Sequence, residues 1–395
     1  MKRCLIAAVA VLGSALFAAD WPQWRGLNRD GVSSEKVSAS WPAAGPKVLW
    51  RAAVGTGFSS ISVSEGRVYT MGNLKNEDTV WCFEAGSGRV LWRHTYAAQL
   101  GPQWYEGGPG STPTVSGHQV FTISKWGDVF CLEAARGTVI WQRDLRQDGV
   151  KPNRWGFAGS PLIWGDRVIL NAGTAGIALD RATGRIVWSN GTNAGGYASP
   201  TRFDSGDRES VLIFAAKHLV ALDPPSGREL WRQLWETDWD TNNTDPLVHG
   251  GRIFISSFSR GCGLFSVPEG APQVVYTNKV LHNHLSPGIV VGDYLYAFNG
   301  EAKQETDFRC LHLPTGELKW SRKDPAFGTL IRAGDKLLVL SEKGELLLAE
   351  PSPADFKPLA RAKVLSGVCW TPPALANGRL YVRNAKGDLC CLEWK

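Results

Sequence analysis

Residues 86–92 read GSGRVLW, and the phrase returns as GTVIW at 137–141, GRIVW at 184–188, GRELW at 227–231 and GELKW at 316–320. With its surroundings the pattern is S/T-x-P, then G-x-V, then L-x-A-x-x-G-x-x-x-W, and it recurs about every 44 residues from Ser59 to Lys395. A fixed period of that length marks a solenoid, a propeller or an array. Within one unit, residues 112–115, 119–124, 128–133 and 138–143 are short runs of β-branched and aromatic residues, separated by Ser-Gly, Lys-Trp-Gly and Ala-Arg-Gly turns. Each unit therefore reads as four antiparallel strands with no helix.

Four-stranded units at this spacing predict an all-β, eight-bladed β-propeller, in which each sheet hides its faces against its neighbours and radial closure protects the edges. The units begin near Ser59, Gly110, Gly159, Tyr197, Asn242, Asn283, Phe327 and Val368, and in the fifth and seventh the terminal Trp is replaced by Tyr276 and by about Ala360. The last unit holds only three strands before Lys395, whereas residues 46–55 (PKVLWRAAVG) place Trp50 in the repeat's Trp position without preceding strands. An N-terminal strand should thus complete the last blade, because the sheet would otherwise expose a bare edge. Residues 46–395 form the propeller in this reading, and 20–45 an N-terminal arm.

Residues 1–19 carry Lys2 and Arg3, then an apolar stretch from Leu5 to Ala19 too short to span a bilayer, and read as a secretory signal peptide. Cys4 precedes that stretch and so cannot anchor a lipid after it. The expectation is an exported, soluble monomer in the periplasm or outside the cell, with no transmembrane segment. The chain has 43 Lys and Arg against 37 Asp and Glu, a net +6 to which Lys2 and Arg3 contribute two, and the charges are scattered without runs. Nucleic-acid binding has no support in that pattern. Cys82, Cys131, Cys310 and Cys391 share one repeat column with Ala178 and Ala221, so the column reads as a small buried position rather than as disulfide partners; the adjacent Cys390 and Cys391 fall in a strand-like run.

The Asp-x-x-x-Gly-x-x-x-Trp phrase, seen in DPPSGRELW at 223–231 and in Asp180 ahead of TGRIVW, combines with S/T-x-P-x-V-x-G strands to resemble the pyrroloquinoline quinone-type repeat. That repeat builds the eight-bladed propellers of quinoprotein alcohol dehydrogenases and of the outer-membrane assembly lipoprotein, which carries no cofactor. The opening DWPQWRGLNRDG at 20–31 resembles secreted bacterial proteins named for the same repeat. The resemblance implies the fold over about 350 residues. It does not by itself imply the quinone, since the motif's Trp and Gly serve packing and turning. Quinoprotein dehydrogenases add a calcium site of Glu, Asn and Asp, a catalytic Asp and a vicinal disulfide on the cofactor, and this sequence offers no residue-by-residue match to that set.

In a propeller the loops that lead into each blade gather on one face with the turns between middle strands. Here those loops read QWYEGGPG at 103–110, NRWGFAG at 153–159, NAGGYA at 193–198, TDWDTNNT at 237–244, LHNHL at 281–285 and GVCW at 367–370. Trp104, Tyr105, Trp126, Trp155, Tyr197, Trp239 and Trp370 would there meet Glu106, Lys125, Arg154, Asp240, His282 and His284, with Lys217, Arg260 and residues 301–303 on turns of the same face. An aromatic rim with a few charges suits a small molecule, a glycan or an extended peptide; the same aromatics could equally cover the channel mouth by packing on one another. Asp238, Asp240 and Asn242 alternate like calcium ligands, but Asn243 and His249 stand where an EF-hand loop needs Gly and Glu. His282 and His284 lack metal-ligand companions at metal-site spacing, and no hydrolase elbow, zinc-protease motif, phosphate loop or kinase set occurs. A binding or interaction scaffold with no resident cofactor or metal is the reading reached here. The alternatives are a compact quinoprotein oxidoreductase holding pyrroloquinoline quinone with calcium, using Asp240 or Glu106 as base, and a partner of an envelope protein assembly.

Overall fold

The computed structural model describes residues 20–36, 41–42, 45–205, 208–301 and 304–394. The expected signal peptide at 1–19 lies outside them, as do Ala302 and Lys303. The described residues form eight sheets, antiparallel except for one added edge strand, and no α-helix; the helical content is two short 3₁₀ turns, Asp238–Asp240 and Pro268–Gly270. Blades 1 to 7 span residues 62–97, 114–144, 162–189, 201–234, 247–278, 289–322 and 328–363, each built in chain order from innermost to outermost strand. Blade 8 takes three strands from residues 374–393 and its outermost strand from Val48–Ala53. That strand pairs with Asp388–Glu393, Trp50 lying opposite Cys391, so the ends of the chain close the ring as the repeat count requires.

The repeated Trp is what joins one blade to the next. Its indole N–H donates to a turn carbonyl in the following blade: Trp50 to Ala85 (3.0 Å), Trp92 to Ala134 (2.9 Å), Trp141 to Arg181 (2.9 Å), Trp188 to Pro224 (2.9 Å) and Trp320 to Ser352 (2.9 Å). Tyr276 stands in for Trp in blade 5 and makes the same link through its hydroxyl to Leu313 (2.8 Å). The ring face lies on the turn glycine of that neighbour. A Cβ on Gly88 would come within 2.6 Å of Trp50, and one on Gly137 within 2.4 Å of Trp92, while both glycines hold a φ of +71°. No other residue satisfies both demands.

Across the sheet from each Trp sits a small residue: Cys82 faces Trp92, Cys131 faces Trp141, Ala178 faces Trp188, Ala221 faces Trp231 and Cys310 faces Trp320. Where the Trp has gone, the residue opposite has grown: Leu264 faces Tyr276 and Leu348 faces Ala360. The cysteine column is thus volume matching, as close-packed interiors demand, and the cysteines among the described residues are free and buried.

The N-terminal arm plugs the axial channel from the side opposite the long loops. Trp21, 2% exposed, pairs in an isolated bridge with Val63 of blade 1, and the carbonyl of Pro22 accepts from Val115 of blade 2. Arg29 donates to Ser160 and Pro161 at the entry to blade 3, and Arg25 to Pro287 and Gly288 at blade 6. Val32–Ser33 then adds a fifth, parallel strand to the inner edge of blade 7, and the Glu35 carboxylate accepts from the backbone of Asn377 and Gly378 in blade 8. Contacts to six blades between Trp21 and Glu35 hold this segment in place, its backbone polar groups and its Arg and Glu side chains being satisfied by the inner strands and the turns beside them.

Candidate functional site

Above the plug, on the long-loop face, the axis opens into a bowl of about 740 Å³. Its floor is built by a second repeat feature. In blades 1 to 3 the backbone N–H of a hydroxyl residue leading into the inner strand donates to the hydroxyl of its counterpart in the next blade, where that counterpart directly precedes Pro: Ser60 to Thr112, Thr112 to Ser160, Ser160 to Ser199. In blade 5 the column holds Asp245, whose carboxylate accepts from the Ser199 N–H at 2.7 Å and from the indole of Trp24, in the arm, at 2.5 Å. Asp245 is 8% exposed and has the guanidinium groups of Arg25 and Arg29 beneath it; burial pulls both arginine pKa values down, that of Arg29 to about 10, and Asp245 opposes the pull.

The wall contributed by blades 1 to 4 is aromatic and cationic. Tyr105, Trp155, Tyr197 and Phe58 line it, with Trp104 at the rim. Lys125 is only 3% exposed; its ammonium donates to the carbonyl of Gly101 and to the Tyr105 hydroxyl (3.0 Å) and lies 4.8 Å from the Tyr105 ring centroid. Burial lowers its pKa to about 8, the Asp78 carboxyl working in the opposite direction. Arg154 is held between Trp155 and Trp239, 5.2 and 4.8 Å from the two ring centroids. Among the described residues no carboxylate lies within 4.0 Å of either cation.

Blades 5 and 6 supply Asp238, Asn243, His284, Glu301 and Gln304 to the opposite wall, with Phe258 and Leu285 between them. His284 Nε2 is 4.0 Å from Glu301, its ring tilts over Phe258, and burial pushes its pKa down to about 4. Burial raises the carboxyl of Glu301, while Gln304 donates to it at 2.6 Å. Trp370 completes the circle, stacked on Phe58 at 5.4 Å and bonded through its indole to Glu342. Two rim residues stand out: Trp104 and Trp239 are 80% and 72% exposed and hold positive φ of 66° and 62°. Bulky side chains rarely adopt that backbone.

The bowl thus gathers Trp104, Tyr105, Lys125, Arg154, Trp155, Tyr197, Trp239, His284 and Trp370 from the sequence candidates. Four others are not among its lining residues. Trp126 turns outward to donate to the Gln99 carbonyl. Both ring nitrogens of His282 face backbone carbonyls, of Phe258 and Lys279. Glu106 and Asp240 are half-buried in their loops. Lys217 pairs loosely with Glu236 at 3.8 Å, and Arg260 lies over Trp235. Asn242, the third oxygen of the calcium-like triplet, is fully buried and spends its amide on the carbonyls of Ala215, Ala216 and Trp235. Sequence reasoning missed Trp24 and Asp245. Asp245 had a visible signal, an acid in a hydroxyl column; Trp24 had none, because nothing periodic places the arm.

No group of three His, Cys, Asp or Glu capable of holding a metal occurs among the described residues. Cys390 and Cys391 are successive residues of a regular strand, facing Arg51 and Trp50 in the pairing, and neither lines the bowl.

A family model described as outer membrane protein assembly factor BamB matches residues 76–322, more than half of the chain, and the chain belongs to that family of quinone-type repeat propellers. The BamB of Yersinia pestis is 23% identical over 366 residues, 84% of this chain and 83% of its own length. The 1-butanol dehydrogenase (quinone) of Thauera butanivorans is 25% identical over 170 residues, 39% of this chain; the match spans only 24% of that relative. The crystal structure of BamB from Moraxella catarrhalis aligns over 89% of this chain and 98% of its own with a TM-score of 0.66 at 16% identity, a likeness of fold. No helix among the described residues is long and apolar enough to cross a membrane.

Proposed function

We propose that this protein is a binding scaffold of the cell envelope, exported by its N-terminal segment, that captures a ligand in the axial bowl. The observation that carries this reading is the bowl itself. Its volume falls in the range of small-molecule sites, roughly 300–1,000 Å³, its walls are aromatic, and it holds two cations without carboxylate partners. A mouth merely covered by packing would bury its tryptophans, whereas Trp104 and Trp239 stand exposed on left-handed backbone. Strain of that kind costs on the order of 1–3 kcal/mol and gathers at functional sites. Affinity capture from an envelope extract tests the reading, comparing the wild type with Trp104→Ala/Trp239→Ala. A small molecule or envelope protein retained by the first and lost from the second is expected; identical capture by both would move the binding elsewhere.

Similarity to a quinone-dependent dehydrogenase and the aromatic bowl favour a second reading, a compact quinoprotein oxidoreductase. Against it stands the placement of Glu106 and Asp240, its candidate bases, away from the bowl lining. Dye reduction by alcohols in the presence of pyrroloquinoline quinone and calcium would reinstate it.

A further inference from the structure

Resting on the bowl as a ligand site, we infer that its ligand class is an acidic saccharide, a short uronate-bearing sugar. The two walls of the bowl make different demands. Lys125 belongs to the middle turn of blade 2 and Glu301 to that of blade 6, four blades apart in an eight-blade ring and therefore on opposite sides of the axis. On the first side Lys125 is nearly buried and satisfied only by neutral oxygens, and Arg154 is flanked only by rings. A nearly buried cation with no carboxylate in contact, Asp78 acting on it only from beyond 4.0 Å, favours an anionic guest, since the charge has lost its water. Arg25 and Arg29 under the floor add to the same field, offset there by Asp245 and, at Arg25, by Asp30.

The second side asks for hydrogen-bond donors. Asp238 and Glu301 bring carboxyl groups into the lining, and Asn243 carries an amide oxygen with no protein partner. A flat aromatic polyacid presents acceptors along its whole edge and would set acceptor against acceptor there. A basic ligand would meet Lys125 and Arg154, and a neutral sugar would leave both unpaired. A polyhydroxylated carboxylate satisfies both walls: its carboxylate meets the cations and its hydroxyls donate to the acids and the amide. At the entrance Trp104 and Trp239, the latter with Arg154 over one face, keep most of their indole surface exposed, which suits the C–H face of a sugar ring.

The experiment is titration of the full chain, followed by intrinsic Trp fluorescence and calorimetry. The probes are trimers of galacturonate, mannuronate and glucuronate, the neutral galactose trimer, and pyrroloquinoline quinone. At least one uronate trimer is expected to bind saturably and at least tenfold more tightly than the neutral trimer. Arg154→Gln, at the exposed rim, should weaken that binding at least tenfold with an unchanged melting midpoint; Lys125→Met should weaken it as much, and Arg260→Gln outside the bowl should leave it alone. Equal binding of neutral and acidic trimers would overturn the charge argument, as would indifference to both cation variants. Binding of the quinone without any uronate would overturn the saccharide assignment and leave the bowl a ligand site. Binding of no probe at millimolar concentration would overturn the saccharide assignment, and capture of some other small molecule that depends on Trp104 and Trp239 would still uphold the bowl.

Discussion

Replacing Trp50 by Ala probes the seam on which the ring depends. Trp50 is the only repeat Trp that reaches its blade from the far end of the chain, and it is 8% exposed, between Phe83 at 6.0 Å and Tyr381 at 5.9 Å. A large aromatic buries about 150–250 Å², which at about 25 cal/mol per Å² comes to about 4–6 kcal/mol. That is an upper value, because the unfolded chain already hides part of the surface. Loss of the indole bond to Ala85 adds about 1 kcal/mol, and measured losses for such truncations run about 3–5 kcal/mol. A loss of about 4 kcal/mol in urea unfolding is the expectation, with Trp92→Ala, the same docking inside the continuous chain, as the matched control. Only Trp50→Ala should also speed amide exchange along Asp388–Glu393, whose outer partner strand it loosens. A loss below about 1 kcal/mol for Trp50→Ala beside a full loss for Trp92→Ala would refute closure by Val48–Ala53 as a source of stability.

Tyr276→Phe keeps the packing and removes one interblade bond, so thermal melting should report a loss of about 1 kcal/mol. Ala360→Trp alone should overpack against Leu348 and cost about 1–3 kcal/mol; Ala360→Trp with Leu348→Cys should recover most of it, and additive losses in that double-mutant cycle would contradict the volume-matching account. Asp78, 1% exposed, has its pKa raised to about 7 by burial, with the bond from Asn73 opposing. Between pH ~4 and 7 the unfolded chain therefore releases a proton that the folded protein keeps, and stability falls as pH rises, by at most about 1.4 kcal/mol per pH unit. Asp78→Asn should flatten urea midpoints across that window, and an unchanged slope would count against the buried acid. Asp245→Asn leaves one of two donors, Ser199 N–H or the Trp24 indole, facing an amide N–H₂, for a loss of about 1–3 kcal/mol; exchange protection of residues 20–36 should fall with it.

The repeat phrase by itself determined most of this architecture. Strand content, blade number and the shared last blade follow from periodicity, because each unit repeats one local solution of turn glycine, alternating strands and terminal Trp. Strand ends were legible to within a residue or two, as in Val139–Asp144 against the 138–143 read from sequence. The crowd of aromatics on one face was legible too, since loop positions follow from strand order. Which of them point inward was not. Trp126 and His282 turn to nearby carbonyls while Trp155 and His284 enter the bowl, a choice made by backbone bonds that no repeat specifies. The arm shows the limit most clearly: Trp24 and Asp245 meet across 221 residues of chain. Their contact exists only because ring closure brings all eight inner strands to one axis, where a short segment can touch nearly every blade at once. Local pattern therefore decided the blades, and the convergence of distant residues at the axis decided the site.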